Sequence, residues 1–79
     1  MTTEEAAAII ALADNDLRIE PTARKLFMHR TTLVRLIRKI KKDTGLDPLN
    51  FYNMVWLVAR AKQVVGRYGV FYDGGLNND

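Results

Sequence analysis

The apolar residues at the start of this chain recur at steps of three and four, which is the spacing of a helix that faces a core. The stripe consists of Ala6, Ile9, Ile10, Ala13 and Leu17. Thr2 and Glu5 have the spacing of a capping box, in which each side chain bonds the other residue's backbone amide. We therefore predict a first helix that begins near Thr2 or Thr3 and ends at the turn residues 14–16.

Two further helices are predicted in the middle of the chain. Pro21 suits the first turn of a short second helix, because the N–H that proline lacks is not needed there. The apolar edge of that helix is Ala23, Leu26 and Phe27. Residues 28–30 form a break, and a third helix follows from about Arg30 to Lys42. Its core face is Leu33, Leu36, Ile37 and Ile40, and Gly45 fits its end.

A fourth helix is predicted from Asp47-Pro48, a capping carboxylate with a proline at the first helical position, to about Val65. It is apolar on more than one face, so either the first helix wraps it closely or a second copy of the chain covers the rest. Residues 66–79 are rich in glycine and tyrosine. The fold predicted is therefore all-α: a four-helix domain at 1–65 with an irregular or short-strand tail at 66–79.

The composition excludes several functions. A chain of 79 residues has little room for an enclosed catalytic pocket. It contains no cysteine and one histidine, so it has neither a disulfide framework nor a His-rich or thiolate metal site. It shows no signal-peptide pattern and no apolar run of membrane-spanning length. We expect a cytoplasmic protein that is not an enzyme and has no cofactor, metal, small-molecule ligand or membrane partner.

The positive charge of the chain is concentrated in one segment. Residues 18–42 carry nine basic residues against Glu20 alone, whereas the segments on either side have net negative charge. Such a block is either a solvated helix surface or an electrostatic footprint for an anionic partner. The arrangement of helices and of residue types around the basic residues distinguishes these two interpretations.

Two helices joined by about three residues, the second of them basic, are typical of a helix-turn-helix, here at about residues 20–42. The second helix of that motif enters the DNA major groove. Arginine can read base edges, valine can contact a thymine methyl group, and threonine or lysine can bind phosphate. The candidate DNA-binding residues are Arg24, His29, Arg30, Thr31, Thr32, Val34, Arg35, Arg38 and Lys42. For His29 a structural role as a helix cap is weighed beside phosphate contact.

The segment "TARKLFMHRTTLVRLIRKI" resembles the C-terminal helix-turn-helix of PucR-type regulators and, more distantly, that of Fis. The matching residues are Thr22, Ala23, Leu26, His29, Arg30, Thr32, Leu33, Arg38 and Ile40. The likeness covers roughly residues 10–62. The family's asparagine is Thr31 here, and its basic-aromatic-basic run is Val34, Arg35 and Leu36. The resemblance implies double-stranded DNA binding, but it transfers neither the family's sequence preference nor the sensing of a metabolite.

Two functional hypotheses follow. The first is a DNA-binding transcriptional regulator, and the second is a protein-interaction module that reuses the motif to dock on an acidic partner. The broad apolar surface of the fourth helix also predicts a homodimer. Its expected seam includes Val55, Trp56 and Val64, with the first helix as a further contributor. The tail segment Tyr68–Tyr72 is another candidate for contact with the partner.

Overall fold

The computed structural model describes residues 1–68, and within them it confirms the all-helical fold. The helices are α1 (Thr3–Asp14), α2 (Ile19–Lys25), α3 (Arg30–Thr44) and α4 (Phe51–Tyr68). Helix α3 continues two residues beyond its predicted end at Lys42, and Gly45 follows it with a φ of 76°. The predicted strand or irregular tail at residues 69–79 lies outside the described residues.

Local hydrogen bonds explain where α1 begins and ends. The Thr2 N–H donates to Glu5 Oε1 at 2.8 Å, and the Glu5 N–H donates to Thr2 Oγ1 at 3.1 Å, which confirms the capping box. At the other end, the Leu17 N–H donates to the Leu12 carbonyl at 2.8 Å. This six-residue closure is a Schellman motif, and its left-handed position is occupied by Asp16 with a φ of 56°.

Helix α1 is the centre of the domain, because it contacts each of the other three helices. Its buried side chains meet α4 on one side and the α2–α3 pair on the other. The principal buried residues are Ile9 and Leu12 from α1, Ala23 from α2, Leu33, Ile37 and Ile40 from α3, and Met54, Leu57 and Ala61 from α4. The helix-turn-helix segment is therefore held on a scaffold made by α1 and α4.

The predicted start of α4 at Asp47-Pro48 is wrong. Asp47 Oδ1 accepts the Leu49 N–H at 2.9 Å, so these residues form a turn and not a first helical turn. The helix begins at Phe51, and Asn50 caps it: its Oδ1 accepts the Asn53 N–H at 3.0 Å. At its other end α4 extends to Tyr68, three residues beyond the predicted Val65, so residues 66–68 are helical.

One face of α4 stays uncovered by the described part of the chain. Phe51, Tyr52, Val55 and Trp56 are 67%, 77%, 56% and 71% exposed. Val64, which was predicted to lie in the same dimer seam, differs from them because it packs against the core and is partly buried. No helix within residues 1–68 has the combination of length and apolarity that crossing a membrane requires.

Candidate nucleic-acid interface

The turn between α2 and α3 is a second Schellman motif. The Met28 N–H donates to the Ala23 carbonyl at 3.0 Å, and the Phe27 N–H donates to the Arg24 carbonyl at 3.2 Å. Phe27 takes the left-handed position of this motif with a φ of 55°. Its side chain is 97% exposed, so the prediction that Phe27 belongs to the apolar edge of the second helix is wrong.

The only histidine of the chain caps α3. The backbone N–H of Thr31 donates to His29 Nδ1 at 3.1 Å, which satisfies one of the amides that the helix start leaves unpaired. Because Nδ1 accepts this bond, the neutral ring carries its proton on Nε2. The His29 side chain is exposed at this end of the helix, so it keeps a donor for a neighbouring anion while its other nitrogen caps the helix.

Four of the predicted DNA-binding residues form one exposed line along α3. Thr31, Arg35, Arg38 and Lys42 follow each other at steps of four, three and four residues, which keeps them on one side of a helix. We call this line the recognition strip. The buried residues Leu33, Ile37 and Ile40 of the same helix face the core. Burying one side of α3 therefore presents the strip to solvent.

The remaining predicted residues of α3 lie at the margins of the strip. Val34 is half-buried, whereas Thr32 is exposed. Arg30 is exposed, but its Nε lies 3.5 Å from Glu20 Oε2 of α2. This exposed pair is worth at most about 1 kcal/mol, yet it orients the guanidinium toward the α2 side of the motif.

Arg24 lies on the neighbouring helix and extends the positive surface beyond α3. It is exposed in the last turn of α2 and forms no ion pair with any residue of the described chain. In the same helix Ala23 is buried, and its small side chain permits the close approach of α2 to α3. Helix α2 therefore lies beside α3 and adds the basic residue Arg24 to the exposed surface.

The other lysines of α3 are engaged within the chain. Lys39 Nζ lies 3.0 Å from Glu5 Oε2 and 2.9 Å from Asp43 Oδ2, and Lys41 Nζ lies 3.8 Å from Asp47 Oδ2. The bonds to Asp43 and Glu5 raise the pKa of Lys39. By contrast, among residues 1–68, Arg35, Arg38 and Lys42 of the recognition strip have no ion-pair partner. The charge of the strip is therefore not neutralised by an ion pair within the described residues.

Glu5 connects this helix to the scaffold. Its carboxylate is buried, and its pKa is lowered chiefly by the Thr2 N–H, against a smaller opposing effect of burial, with Lys39 lowering the pKa further. Sequence reasoning assigned Glu5 to the capping box but missed its contact with Lys39. The two residues are 34 positions apart, so no local spacing indicates the pair. The contact joins the start of α1 to the middle of α3.

Within residues 1–68 no group of three or more histidine, cysteine or acidic side chains is placed to hold a metal ion. The site therefore consists of a capped helix start, a line of free basic side chains and a neighbouring short helix. This is the geometry of a helix-turn-helix, the class of proteins that presents its second helix to DNA.

Comparison with protein families identifies the particular family. The model of the PucR C-terminal helix-turn-helix domain matches residues 6–62. Because this match spans most of the 79 residues, the chain belongs to that family of DNA-binding, non-enzymatic domains. Comparisons with curated proteins and with solved structures gave no match.

Proposed function

We propose that this protein binds double-stranded DNA sequence-specifically and acts as a small transcriptional regulator. The observation that carries the proposal is the division of charge on α3. Its lysines and arginine outside the recognition strip have acidic partners, whereas Arg35, Arg38 and Lys42 have none within the described chain. Free basic side chains on an exposed helix are what a polyanionic ligand requires.

The residues of the site divide into two roles in this proposal. Arg35 and Arg38 reach base edges in the major groove, where arginine most often contacts guanine, and Val34 meets a thymine methyl group. Phosphate contacts fix the position of the protein on the duplex. They come from Arg24 on α2 and from residues at the two ends of α3: His29, Arg30, Thr31, Thr32 and Lys42.

The test is DNA binding by the full chain, first to genomic fragments to select a site and then to the selected duplex. Arg35→Ala should cost about 1–3 kcal/mol on the selected site and relax its specificity, because it removes a base contact. Lys42→Ala should weaken binding evenly across sequences, because it removes a phosphate contact.

The matched control is Arg60→Ala, which removes one positive charge from an exposed position of α4 and should change neither affinity nor specificity appreciably. If neither Arg35→Ala nor Lys42→Ala alters DNA retention at low salt, the basic surface of α3 instead serves an acidic protein partner.

We further propose that the protein acts as a homodimer. Its proposed location is the cytoplasm, as expected from the sequence. Two-fold pairs are the commonest closed assemblies. Such a pair presents two recognition helices to half-sites about 34 Å apart. The support within the chain is the exposed apolar face of α4, on which Val55 and Trp56 lie and to which Val64 contributes little.

A further inference from the structure

The side of α4 that points away from the core has large residues at one end and small ones at the other. Tyr52, Ala59 and Gly66 follow each other at intervals of seven residues, so they lie on one line along the helix. Val55, Trp56 and Gln63 lie between them, and all six are exposed. We call these six residues the α4 face. Its first half is bulky and apolar, and its second half offers little side-chain volume.

We propose that the α4 face packs antiparallel against the α4 face of a second copy, about a two-fold axis that passes near Ala59. This deepens the homodimer of the proposed function, although the pairing itself does not require DNA. In this arrangement, residues equally far on either side of Ala59 oppose each other. Tyr52 of each copy meets Gly66 of the other, and the two Ala59 side chains meet at the axis.

Gly66 supports this orientation because nothing in the described chain requires a glycine there. It lies in the last described turn of α4, and glycine is a poorer helix former than alanine. A Cβ at this position would meet no heavy atom of the described chain within 4 Å. An opposing tyrosine ring would occupy that space, so the partner supplies a reason for this glycine that residues 1–68 do not.

Charge favours the same orientation. Lys62 is exposed beside the α4 face and lies three residues from Ala59, as Trp56 does on the other side. Antiparallel packing therefore brings Lys62 of one copy level with Trp56 of the other across the seam, where the long lysine side chain can approach the indole ring and the two attract each other. Parallel packing would instead bring the two lysines together and leave the two glycines facing each other across a void.

The area is sufficient for a weak but specific pair. Tyr52, Val55 and Trp56 of the α4 face are 77%, 56% and 71% exposed, so together they offer about 400 Å² per copy and about 800 Å² per pair. That is below the value of about 1,000 Å² for stable specific interfaces and lies in the range of weak, transient pairs. The apolar surface also continues into an open groove of about 540 Å³ that Val55 lines together with Leu17 of α1. A dimer that forms at micromolar concentrations is expected.

The first test uses the contact of Ala59 with itself. Light scattering of the full chain at micromolar concentration should give twice the mass of 9.0 kDa that one chain has. Ala59→Glu and Ala59→Lys should each be monomeric, because two like charges meet at the axis, and an equimolar mixture of the two should recover the dimer. Ala7→Glu, at an exposed alanine of α1, is the matched control and should remain dimeric.

The second test determines the orientation, and it benefits from a chain without cysteine. Mixing Tyr52→Cys with Gly66→Cys under mild oxidation should give mostly the mixed disulfide, whereas a parallel pair would give mostly the two symmetric ones. A monomeric mass for the unaltered chain, an unaffected Ala59→Glu dimer or mainly symmetric disulfides would each overturn the proposal. These measurements contain no DNA, so their failure is separate from a failure of DNA binding, which Arg35→Ala tests in a dimer that should remain intact.

Discussion

Phe27 combines two features that are individually unfavourable for a phenylalanine. Its backbone is in the left-handed region, which costs an L-residue about 1–2 kcal/mol and which glycine adopts freely. Its ring is 97% exposed and gains nothing from burial in the described chain. Phe27 belongs to the turn that sets the direction of α3. The hydrogen bonds of the Schellman motif fix the left-handed backbone conformation there, whichever side chain occupies the position.

Replacing Phe27 by glycine should therefore stabilise the domain by up to about 1 kcal/mol, because the left-handed strain disappears. Thermal unfolding measured by circular dichroism gives the change. Phe27→Ala is the control: alanine removes the ring but keeps the Cβ, so it should give little of the gain. Equal stabilisation by both variants would show that the exposed ring, and not the backbone, is the unfavourable feature.

Glu5 is a buried carboxylate that makes folding sensitive to acid. Its pKa in the folded domain lies below the ordinary value of 4.5, first because the Thr2 N–H donates to the carboxylate. A lowered pKa means that the ionised form stabilises the fold. That contribution is complete above the unfolded-state pKa and is lost as the pH falls through the folded-state pKa.

Glu5→Gln should lower the free energy of unfolding at pH 7 by about 1–2 kcal/mol, since a charge-assisted bond and the contact with Lys39 are lost. Below pH 4.5 the difference from the unaltered chain should shrink. Urea unfolding at a series of pH values measures it. Glu4→Gln, at the exposed neighbour, should leave the pH dependence nearly unchanged, and a similar loss in both variants would contradict the role given to Glu5.

At the scale of elements, the helices begin and end at specific polar groups. His29 caps the start of α3, and Gly45 follows its last residue with a φ of 76°, a value that glycine adopts easily. Helix α4 begins at Phe51 with Asn50 as its cap, although the Asp47-Pro48 pair precedes it. Aspartate and asparagine can both cap a helix. The Asp47 carboxylate, however, accepts the Leu49 N–H and forms an ion pair with Lys41 of α3. The helix start therefore lies three residues beyond the predicted one, because Asp47 is part of a turn and Asn50 provides the cap.

Asn50→Ala should cost about 1 kcal/mol of stability, because the Asn53 N–H loses its partner at the start of α4. Urea denaturation provides the measurement. Asn50→Ser keeps a capping oxygen and should retain most of the stability. If both variants are as stable as the unaltered chain, the helix start is held by another group.

At the scale of the whole molecule, α1 separates two surfaces with different chemistry. The recognition strip on α3 is basic, whereas the α4 face is largely apolar. Helix α1 is packed between α4 and the motif, so the two surfaces are connected through a buried core and not through a mobile segment. A dimer formed through α4 therefore holds two recognition strips in one fixed relation.

This arrangement predicts how DNA binding responds to salt. Each phosphate neutralised contributes about −0.9 to the slope of log K against log salt concentration. In the proposed dimer each copy engages one half-site, so a monomeric Ala59→Glu variant should show about half of the slope of the dimer. Fluorescence anisotropy between low and moderate salt measures this slope. Ala7→Glu carries the same added charge and should keep the full slope, and an equal reduction in both variants would attribute the effect to charge alone.

Features that depend on neighbours along the chain can be predicted from the amino-acid sequence alone. The capping box of Thr2 and Glu5, the end of α3 at Gly45 and the core positions Leu33, Ile37 and Ile40 all follow from spacings within one helix. The predicted basic surface of α3 follows from the same periodicity, because burying three positions of a helix specifies which side remains exposed. The roles of its individual residues in DNA binding stay predictions.

Features that depend on residues far apart or on the path of a turn require the three-dimensional fold. Lys39 appears equivalent to Arg38 and Lys42 in sequence, yet its charge is paired with Glu5, 34 residues away. Phe27 has the hydrophobicity of a core residue, but the turn that brings α3 onto α1 places it in solvent. Val64 and Trp56 both fit an apolar helix, and the position of α1 determines which of them is covered. Periodicity reports which residues share a side of a helix, whereas burial depends on what the rest of the chain places against that side.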